Sequence, residues 1–377
     1  MGQFPQRPLP PWNRAVLKVG SSLLADASGE LTEHNARPLA QFIAASRSAG
    51  RDVVLVSSGA VAAGRARVPA QGGRPSLVLR QALAALGQTR MISLWQGLID
   101  TPVAQVLLTH DDLRNRRRYL NARNTLIELL RLGSVPIINE NDTVAVEELK
   151  LGDNDNLAAT VAALIDADLL LIASDVDGLF SAHPLRDASA QPVESVTAIT
   201  PAVLAMAGDP GSVLGTGGMR TKLEAAQKAA SAGIPTVLFN GADAASTALL
   251  AAGSFRGTCF EAPSTRLAAR KYWLRHAGTA SGSIRIDAGA AQALRGGKSL
   301  LPGGILGVDG EFARGDIVDI VQAEPPGVVA RGLAQYNAGE VRRLAGHHTR
   351  EIETLLGFSY GDTVVRRDDL VTLGNPA

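Results

Sequence analysis

The run 157-LAATVAALIDADLLLIAS-174 contains both building blocks of the fold. Its first half has helical spacing, because apolar residues recur on one stripe. The stripe residues are Leu157, Val161, Leu164 and Ile165. Its second half, 168-DLLLIAS-174, is apolar on both faces, as in a strand buried between helix layers. Asp166 and Asp168 interrupt the run, which argues against a membrane span. The run therefore predicts a helix that leads into a buried parallel strand.

Further apolar runs alternate with amphipathic stretches through residue 240. They are 15-AVLKV-19, 52-DVVLVS-57, 102-PVAQVLL-108, 135-VPIIN-139 and 234-IPTVLFN-240. Alternation of strands and helices on this scale predicts an α/β fold, a three-layer sandwich around a mainly parallel sheet. Open sheets of this kind bind their ligands at the carboxyl ends of the strands. Candidate site residues are therefore expected in the loops that follow the strands.

The sequence changes in character after about residue 262. The segment 263–279 is basic and then rich in small polar residues, which is typical of a linker. Short strand-like runs separated by Gly and Pro follow it. These runs are 283-SIRID-287, 301-LPGGILGV-308, 316-DIVDIV-321 and 327-GVVARGLAQY-336. We therefore expect an α/β domain over residues 11–262, a small mainly β domain over 280–359 and a C-terminal tail over 360–377.

The composition of the chain excludes several classes of protein and of site. Of the 377 residues, 46% are hydrophobic and 19% are charged, as in globular proteins, and the formal net charge of +1 gives no general attraction to nucleic acid or membrane. Cys259 is the only cysteine, so no disulfide can form within the chain and a cysteine-based zinc site is not expected. The segment 1-MGQFPQRPLPPW-12 lacks the apolar core of a signal peptide. We expect a cytoplasmic protein with no membrane association.

Two of the predicted strands run into loops of small residues that can bind anions. The first is 17-LKVGSS-22, which places a lysine inside the strand, and the second is 56-VSSGAVAAG-64. Exposed backbone N–H groups at the start of a helix attract anionic groups. Either loop alone is more simply a tight turn between strand and helix.

Two clusters of acids and amides lie close together in the middle of the chain. In 137-IINENDTVAV-146 they follow a strand, which is also compatible with a turn feeding a hairpin. In 151-LGDNDNLAAT-160, four consecutive polar residues precede a helix, although one suffices to cap it. Acceptor groups gathered in this way suit the ammonium of an amino acid, and a carboxylate can also position a lysine or Mg²⁺.

The glycine-rich run 215-GTGGMRTKLEAAQ-227 leads directly into a helix that carries Lys222. It matches neither a Walker A loop nor a dinucleotide-binding fingerprint. It nevertheless combines backbone donors, hydroxyls, a helix N-terminus and a lysine, which together suit phosphate groups. The alternative is a flexible linker.

Taken together, these loops indicate phosphoryl transfer. Lys18 and Lys222 are expected at the same edge of the sheet, and phosphoryl transfer depends on positive charge around the migrating group. No histidine, serine or cysteine lies in a recognisable nucleophile motif. A carboxylate acceptor needs no general base, because it is already ionised at neutral pH. The residues therefore predict a kinase that acts on a carboxylate of an amino acid.

Five of these segments resemble the signature loops of the glutamate 5-kinases, a branch of the amino acid kinase family. They are 17-LKVGSSLL-24, 57-SSGAVAAG-64, 138-INENDTVA-145, 152-GDNDNLAA-159 and 215-GTGGMRTK-222. Two C-terminal segments resemble the PUA domain that many members carry. They are 301-LPGGILGVDGEFARGDIV-318 and 331-RGLAQYNAGEVRRLAGHH-348. The resemblance implies the amino acid kinase fold followed by a PUA domain.

The resemblance also implies the reaction and its site. The reaction is ATP-dependent phosphorylation of the side-chain carboxylate of L-glutamate to L-glutamyl 5-phosphate, the first step of proline biosynthesis, with Mg²⁺. Lys18, Lys222 and Asp155 would be catalytic, with Lys18 contacting ATP and Asp155 orienting the two lysines. Glutamate would be bound by Ser58, Asp142 and Asn154. ATP would further be bound by Ser174, Asp175, Thr216, Gly217, Gly218, Met219, Arg220, Thr221 and Lys222. Arg220 is included as part of this loop, but it occupies a variable position and is given no individual role, and no metal ligand is assigned.

The implied partners are L-glutamate, ATP, proline as feedback inhibitor, and further copies of the chain in a dimer or tetramer. The next enzyme of the pathway is another possible partner. A sister kinase acting on aspartate or acetylglutamate is the nearest alternative; the acidic clusters favour a free ammonium and so disfavour the acetylated substrate. RNA binding is the alternative from another class, because PUA domains elsewhere bind RNA and 114-RNRRRYLNAR-123 is basic. Such a run is more commonly a solvated helix face.

Overall fold

The computed structural model describes residues 3–26, 30–68, 75–145, 154–184, 187, 189–207, 218–262, 267, 271, 274–275 and 279–373. The chain divides into two compact units. The larger comprises residues 1–114 and 121–266, and the smaller comprises 115–120 and 267–377. No helix in the described part of the chain combines the length and the apolarity that a membrane crossing requires.

The larger unit is built on an eight-stranded sheet with strand order β4-β5-β3-β2-β6-β8-β10-β7. The strands of this unit are β1 (Arg7–Pro8), β2 (Arg14–Val19), β3 (Asp52–Ser57), β4 (Val103–Leu108), β5 (Val135–Glu140), β6 (Leu169–Ser174), β7 (Ser195–Val196), β8 (Thr236–Asn240), β9 (Ser254–Phe255) and β10 (Thr258–Phe260). From β4 to β8 all neighbours pair in parallel, and β10 is antiparallel to β8. The six predicted strands and the mainly parallel sheet are therefore confirmed.

Helices cover both faces of this sheet. They are α1 (Ala36–Ser48), α2 (Ala60–Arg65), α3 (Leu77–Leu98), α4 (His110–Arg114), α5 (Arg116–Arg131), α6 (Asn154–Leu164), α7 (Pro201–Ala205), α8 (Met219–Ser231) and α9 (Ala244–Ala251). Alternate residues of the strands form one core with α1, α3 and α9. Helices α6 and α8 pack on each other and on the strands but contribute nothing to that core, so they cover the opposite face. This is the predicted three-layer sandwich.

The smaller unit contains a second sheet with strand order β12-β11-β13-β14-β15. Its elements are β11 (Gly282–Ile286), α10 (Ala288–Arg295), β12 (Ile305–Gly310), β13 (Ile317–Gln322), β14 (Gly327–Ala334), α11 (Ala338–Leu344), α12 (Ile352–Leu356) and β15 (Val365–Thr372). The predicted mainly β character is confirmed. Strand β15 pairs with β14, so this sheet continues beyond residue 359, where the sequence analysis places the start of a tail.

Two glycines allow α2 and α3 to pack backbone against backbone. A Cβ atom on Gly64 would lie 1.9 Å from the carbonyl oxygen of Leu83, and one on Gly87 would lie 1.8 Å from that of Ala60. Both distances are far below van der Waals contact, and a backbone carbonyl has no rotamer through which to move aside. The pair therefore sets how closely α2, which follows the candidate substrate loop at Ser58, approaches α3.

Gly87→Ala is expected to lower the free energy of unfolding by about 1–3 kcal/mol, because the added methyl group forces the two helices apart. The matched control is Gly97→Ala on the same helix, where a Cβ would meet nothing within 4 Å. This control should be neutral or slightly stabilising, because alanine has the higher helix propensity. Urea-induced unfolding of both variants measures the difference. Equal effects at the two positions would contradict the packing argument.

Candidate active site

The carboxyl ends of the central strands bring the predicted site residues to one edge of the sheet. Lys18 lies near the end of β2, Ser58 follows β3, and Ser174 ends β6. Helix α6 begins at Asn154, and Asp155 is its second residue. Since β2, β3 and β6 are parallel neighbours, their ends face the same side. Asp153, Thr216 and Gly217 lie outside the described residues.

Asp155 lies between two lysine side chains. Its Oδ1 is 2.7 Å from Lys18 Nζ, and its Oδ2 is 3.4 Å from Lys222 Nζ. The hydroxyl of Thr221 donates to the same Oδ2 at 2.7 Å. All three charged residues are buried, with Asp155 1% exposed, Lys18 5% and Lys222 6%. We call Lys18, Asp155, Thr221 and Lys222 the lysine–aspartate cluster.

The charges of this cluster perturb one another. Burial alone would raise the pKa of Asp155, but the charges of Lys18 and Lys222, with hydrogen bonds from Lys18 and Thr221, outweigh it and lower that pKa. Burial lowers the pKa of Lys222, and the charge of Asp155 opposes this. Within the cluster two ammonium groups meet one carboxylate, and the charge of Asp175 also acts on Lys222. Buried ammonium groups of this kind attract an anion such as a phosphoryl group.

Asn154 belongs to a second arrangement, which runs through side-chain amides. Its Nδ2 donates to Ser58 Oγ at 2.8 Å and to Asn139 Oδ1 at 2.9 Å. The Nδ2 of Asn139 in turn donates to Gln88 Oε1 at 2.9 Å. We call these four residues the amide chain. Asn154 Oδ1 is buried and has no hydrogen-bond partner among the described residues, so it is an unsatisfied acceptor.

Asp142, the other predicted glutamate-binding residue, follows β5. Burial and the negative charge of Glu140 raise its pKa to about 6, although the charge of Arg80 opposes both. A carboxylate made unstable by burial and by a like charge gains from a bound cation. Asp142 is therefore suited to an ammonium group.

The predicted nucleotide-binding residues lie at β6 and at the start of α8. The hydroxyl of Ser174 donates to Asp175 Oδ1 at 3.2 Å. Gly218 stands at the N-cap of α8, which begins at Met219 and carries Thr221 and Lys222 in its first turns. Arg220, which was given no role, pairs with Glu224 at 2.9 Å on the exposed side of the helix.

Two contributions were missed by sequence reasoning. Gln88 lies within the long helix α3, distant in sequence from every polar loop, and no local pattern marks it. Thr221 was predicted to bind ATP, but its contact with Asp155 was not foreseen. The only sign of this contact in the sequence is that Thr221 directly precedes Lys222, a predicted catalytic residue.

Two family models match parts of this chain. Residues 13–240 match the model of the amino acid kinase family, and residues 282–356 match that of the PUA domain. The UMP kinase from Bacillus anthracis has 16% sequence identity and a TM-score of 0.47, and the match covers 68% of this chain and 98% of that one.

Relatives with much higher identity cover nearly the whole chain. The glutamate 5-kinase of Xylella fastidiosa (strain 9a5c) is 61% identical over 98% of both chains. The glutamate 5-kinase of Xanthomonas axonopodis pv. citri (strain 306) is 61% identical over 95% of this chain and 100% of that protein. The chain therefore belongs to the amino acid kinase family, with relatives named glutamate 5-kinase, and carries a PUA domain over residues 282–356.

Proposed function

We propose that this chain transfers the γ-phosphoryl group of ATP to the side-chain carboxylate of L-glutamate. The observation that carries the proposal is the buried lysine–aspartate cluster, where the carboxyl end of β2 meets the first turns of α6 and α8. The relatives named glutamate 5-kinase support the choice of substrate. The product would be L-glutamyl 5-phosphate, the first intermediate on the route to proline.

In the proposed reaction, a carboxylate oxygen of glutamate attacks the γ-phosphorus. The bond between that phosphorus and the oxygen bridging to the β-phosphate breaks, and ADP leaves. No proton has to be removed from the attacking oxygen, so no general base is required. Lys18 and Lys222 would stabilise negative charge on the migrating group, and Asp155 would hold both ammonium groups in place.

Asn154 and Ser58 of the amide chain, together with Asp142, would bind the amino end of glutamate. Asn154 Oδ1 and the Asp142 carboxylate are acceptors, and an ammonium group carries only donors. Ser58 would contribute its hydroxyl, which already accepts a hydrogen bond from Asn154. N-Acetylglutamate has a neutral amide in place of the ammonium group, so it would not gain from these acceptors.

The nucleotide would lie along Ser174, Asp175 and residues 216–222. Mg²⁺ suits this arrangement, because it keeps water and phosphate ligands and needs only one or two protein carboxylates. Among the described residues no group of three or more metal-ligating side chains gathers. Asp175, an exposed carboxylate directly after β6, would be its protein contact. The bound cation would supply positive charge to the phosphates.

Several wider features are proposed from the family alone. They are feedback inhibition by proline, assembly into a dimer or tetramer, contact with the next enzyme of the pathway and a cytoplasmic location. The domain boundaries are likewise proposed, with the smaller domain extended through β15 to about residue 373.

The proposal is tested by ADP release from the purified protein with ATP and Mg²⁺. L-Glutamate, L-aspartate and N-acetyl-L-glutamate are compared, and hydroxylamine traps any acyl phosphate. ADP and hydroxamate with L-glutamate alone are expected. Activity on another acid would overturn the substrate, and inactivity with all three would overturn the proposed reaction.

Asn154→Ala is expected to raise KM for glutamate at least tenfold and to leave KM for ATP within about twofold. The reason is that the variant removes an acceptor from the ammonium and leaves buried partners unpaired. Steady-state kinetics with each substrate varied in turn measure the split. An unchanged KM for glutamate would remove Asn154 from the substrate site.

The kcat/KM for glutamate is expected to fall roughly tenfold between pH 7 and pH 5, following the ionised fraction of a carboxyl with a pKa of about 6. The sign follows from the raised pKa, because Asp142 becomes neutral below pH 6 and no longer attracts an ammonium group. Asp142→Asn removes the titrating group and serves as the control. A decline of the same size and midpoint in this variant would assign the titration to another group.

A further inference from the structure

Gln88 is a buried polar residue in helix α3 to which the proposed reaction gives no role. Its side chain is 7% exposed and lies on the same helix as the glycine contact with α2. Its Oε1 accepts a hydrogen bond from Asn139, while its Nε2 is buried and has no partner among the described residues. Burying a polar amide costs free energy unless its groups are paired. A half-paired amide at this position therefore suggests a role other than stabilising the fold.

The amide chain has a direction, because each amide has one oxygen that accepts and one nitrogen that donates. The oxygen of Gln88 faces Asn139, so Asn139 must turn its nitrogen towards Gln88. The oxygen of Asn139 then faces Asn154, which must turn its nitrogen inward. Asn154 Oδ1 is therefore a buried acceptor that no described residue satisfies.

We propose that Gln88 is a positioning residue that fixes the direction of the amide chain, so that Asn154 presents its oxygen to the ammonium of the substrate. This inference rests on the proposed function. If the acceptor at position 88 is removed, Asn139 Nδ2 loses its partner, and the remaining hydrogen bond with Asn154 can form in either orientation of the two amides. Asn139 and Asn154 are then free to turn together, and Asn154 would present N–H groups to a cation that has no acceptor.

The test compares Gln88→Met, which keeps the length of the side chain and removes its acceptor, with Gln88→Glu, which keeps an oxygen. Gln88→Met should raise KM for glutamate about tenfold, the size of effect that a lost buried hydrogen bond produces. Its KM for ATP should stay within twofold. Gln88→Glu should restore KM for glutamate to within about threefold of the wild type.

Gln96→Met is the matched control for this change. Gln96 lies on the same helix, and its Oε1 also accepts a hydrogen bond, from the backbone of Val103 at 3.4 Å. It belongs to neither the amide chain nor the lysine–aspartate cluster, so both KM values should match the wild type. An equal rise of KM for glutamate in Gln96→Met would show that any loss of a glutamine from α3 has this effect.

A double-mutant cycle on kcat/KM for glutamate separates positioning from a general structural role. If Gln88 acts through Asn154, adding Gln88→Met to Asn154→Ala should change kcat/KM by less than twofold. Full additivity, a parallel rise of both KM values, or a Gln88→Glu variant as impaired as Gln88→Met would each overturn the inference. A wild-type protein inactive with glutamate would overturn the proposed function. Active wild type with an unaffected Gln88→Met would overturn this inference alone.

Discussion

Lys222→Met is expected to lower kcat by about 10²- to 10³-fold, the loss that follows removal of one preorganised charge-stabilising donor. Lys222 reaches the buried carboxylate of Asp155 from the first turns of α8, so its ammonium lies beside the candidate transfer site. Methionine keeps most of the volume and removes the charge. KM for glutamate should change little, because the amide chain does not include Lys222. Steady-state ADP release measures both quantities.

Lys228→Met is the control for this prediction. Lys228 lies on the same helix and donates to Thr160 Oγ1 at 3.2 Å, with its side chain exposed. The same loss of charge six residues further along α8 should leave kcat within twofold of the wild type. Equal losses of kcat in the two variants would mean that the charge of the helix as a whole is responsible, and not the ammonium of Lys222.

Asp155→Asn is expected to be the most damaging single change, with kcat reduced at least 10³-fold and the free energy of unfolding reduced by about 3–5 kcal/mol. This loss of stability is the size expected when one partner is removed from a buried ion pair. Without the carboxylate, Lys18 and Lys222 keep two buried positive charges that repel each other. Kinetics measure the first effect, and urea-induced unfolding measures the second.

The stabilising contribution of Asp155 has a defined pH dependence. Its pKa in the folded protein is lowered, so the contribution is present above the ordinary pKa of an aspartate and is lost as the pH falls below it. The difference in stability between wild type and Asp155→Asn should therefore be full near pH 7 and shrink towards pH 3. A difference that grows as the pH falls would contradict the assignment of the charges.

Asp166→Asn is the control for Asp155→Asn, because it also removes an aspartate that pairs with a cation. Asp166 lies 2.7 Å from Arg123, and both side chains are about one-quarter exposed. Pairs near the surface contribute about 1 kcal/mol or less because solvent screens them. Asparagine also tolerates the left-handed backbone of this position, where φ is 55°. Kinetics close to those of the wild type are expected.

The strands of the sheet could be predicted because their pattern is local. A strand buried on both faces needs apolar residues in unbroken succession, as in β6, and sequence alone shows this. The loops after β2 and β3 and at the start of α6 could be predicted for a related reason. Ligands bind at the carboxyl ends of parallel strands, so a polar residue in such a loop becomes a candidate before any contact is known.

Strand β15 and the glycine pair could not be predicted in the same way. Residues 366–369 of β15 are four consecutive charged residues, which a strand tolerates at the edge of its sheet, where three of its eight residues are exposed. Gly64 and Gly87 read as ordinary helix-weakening residues. Their role depends on a contact between two helices, and sequence does not report the distance between backbones.

The sequence by itself determined the alternation of strands and helices, the candidate lysines and the cluster of acids and amides before α6. Tertiary structure decided how these groups pair: Asp155 meets both lysines, while the adjacent Asn154 turns into a chain that ends at Gln88. The physical reason is the distance in sequence between the residues that determine each feature. Hydrophobic periodicity and helix entrances are properties of neighbouring residues, whereas a hydrogen bond has a direction and a length of about 3 Å. That direction is settled only when side chains distant in sequence are packed side by side.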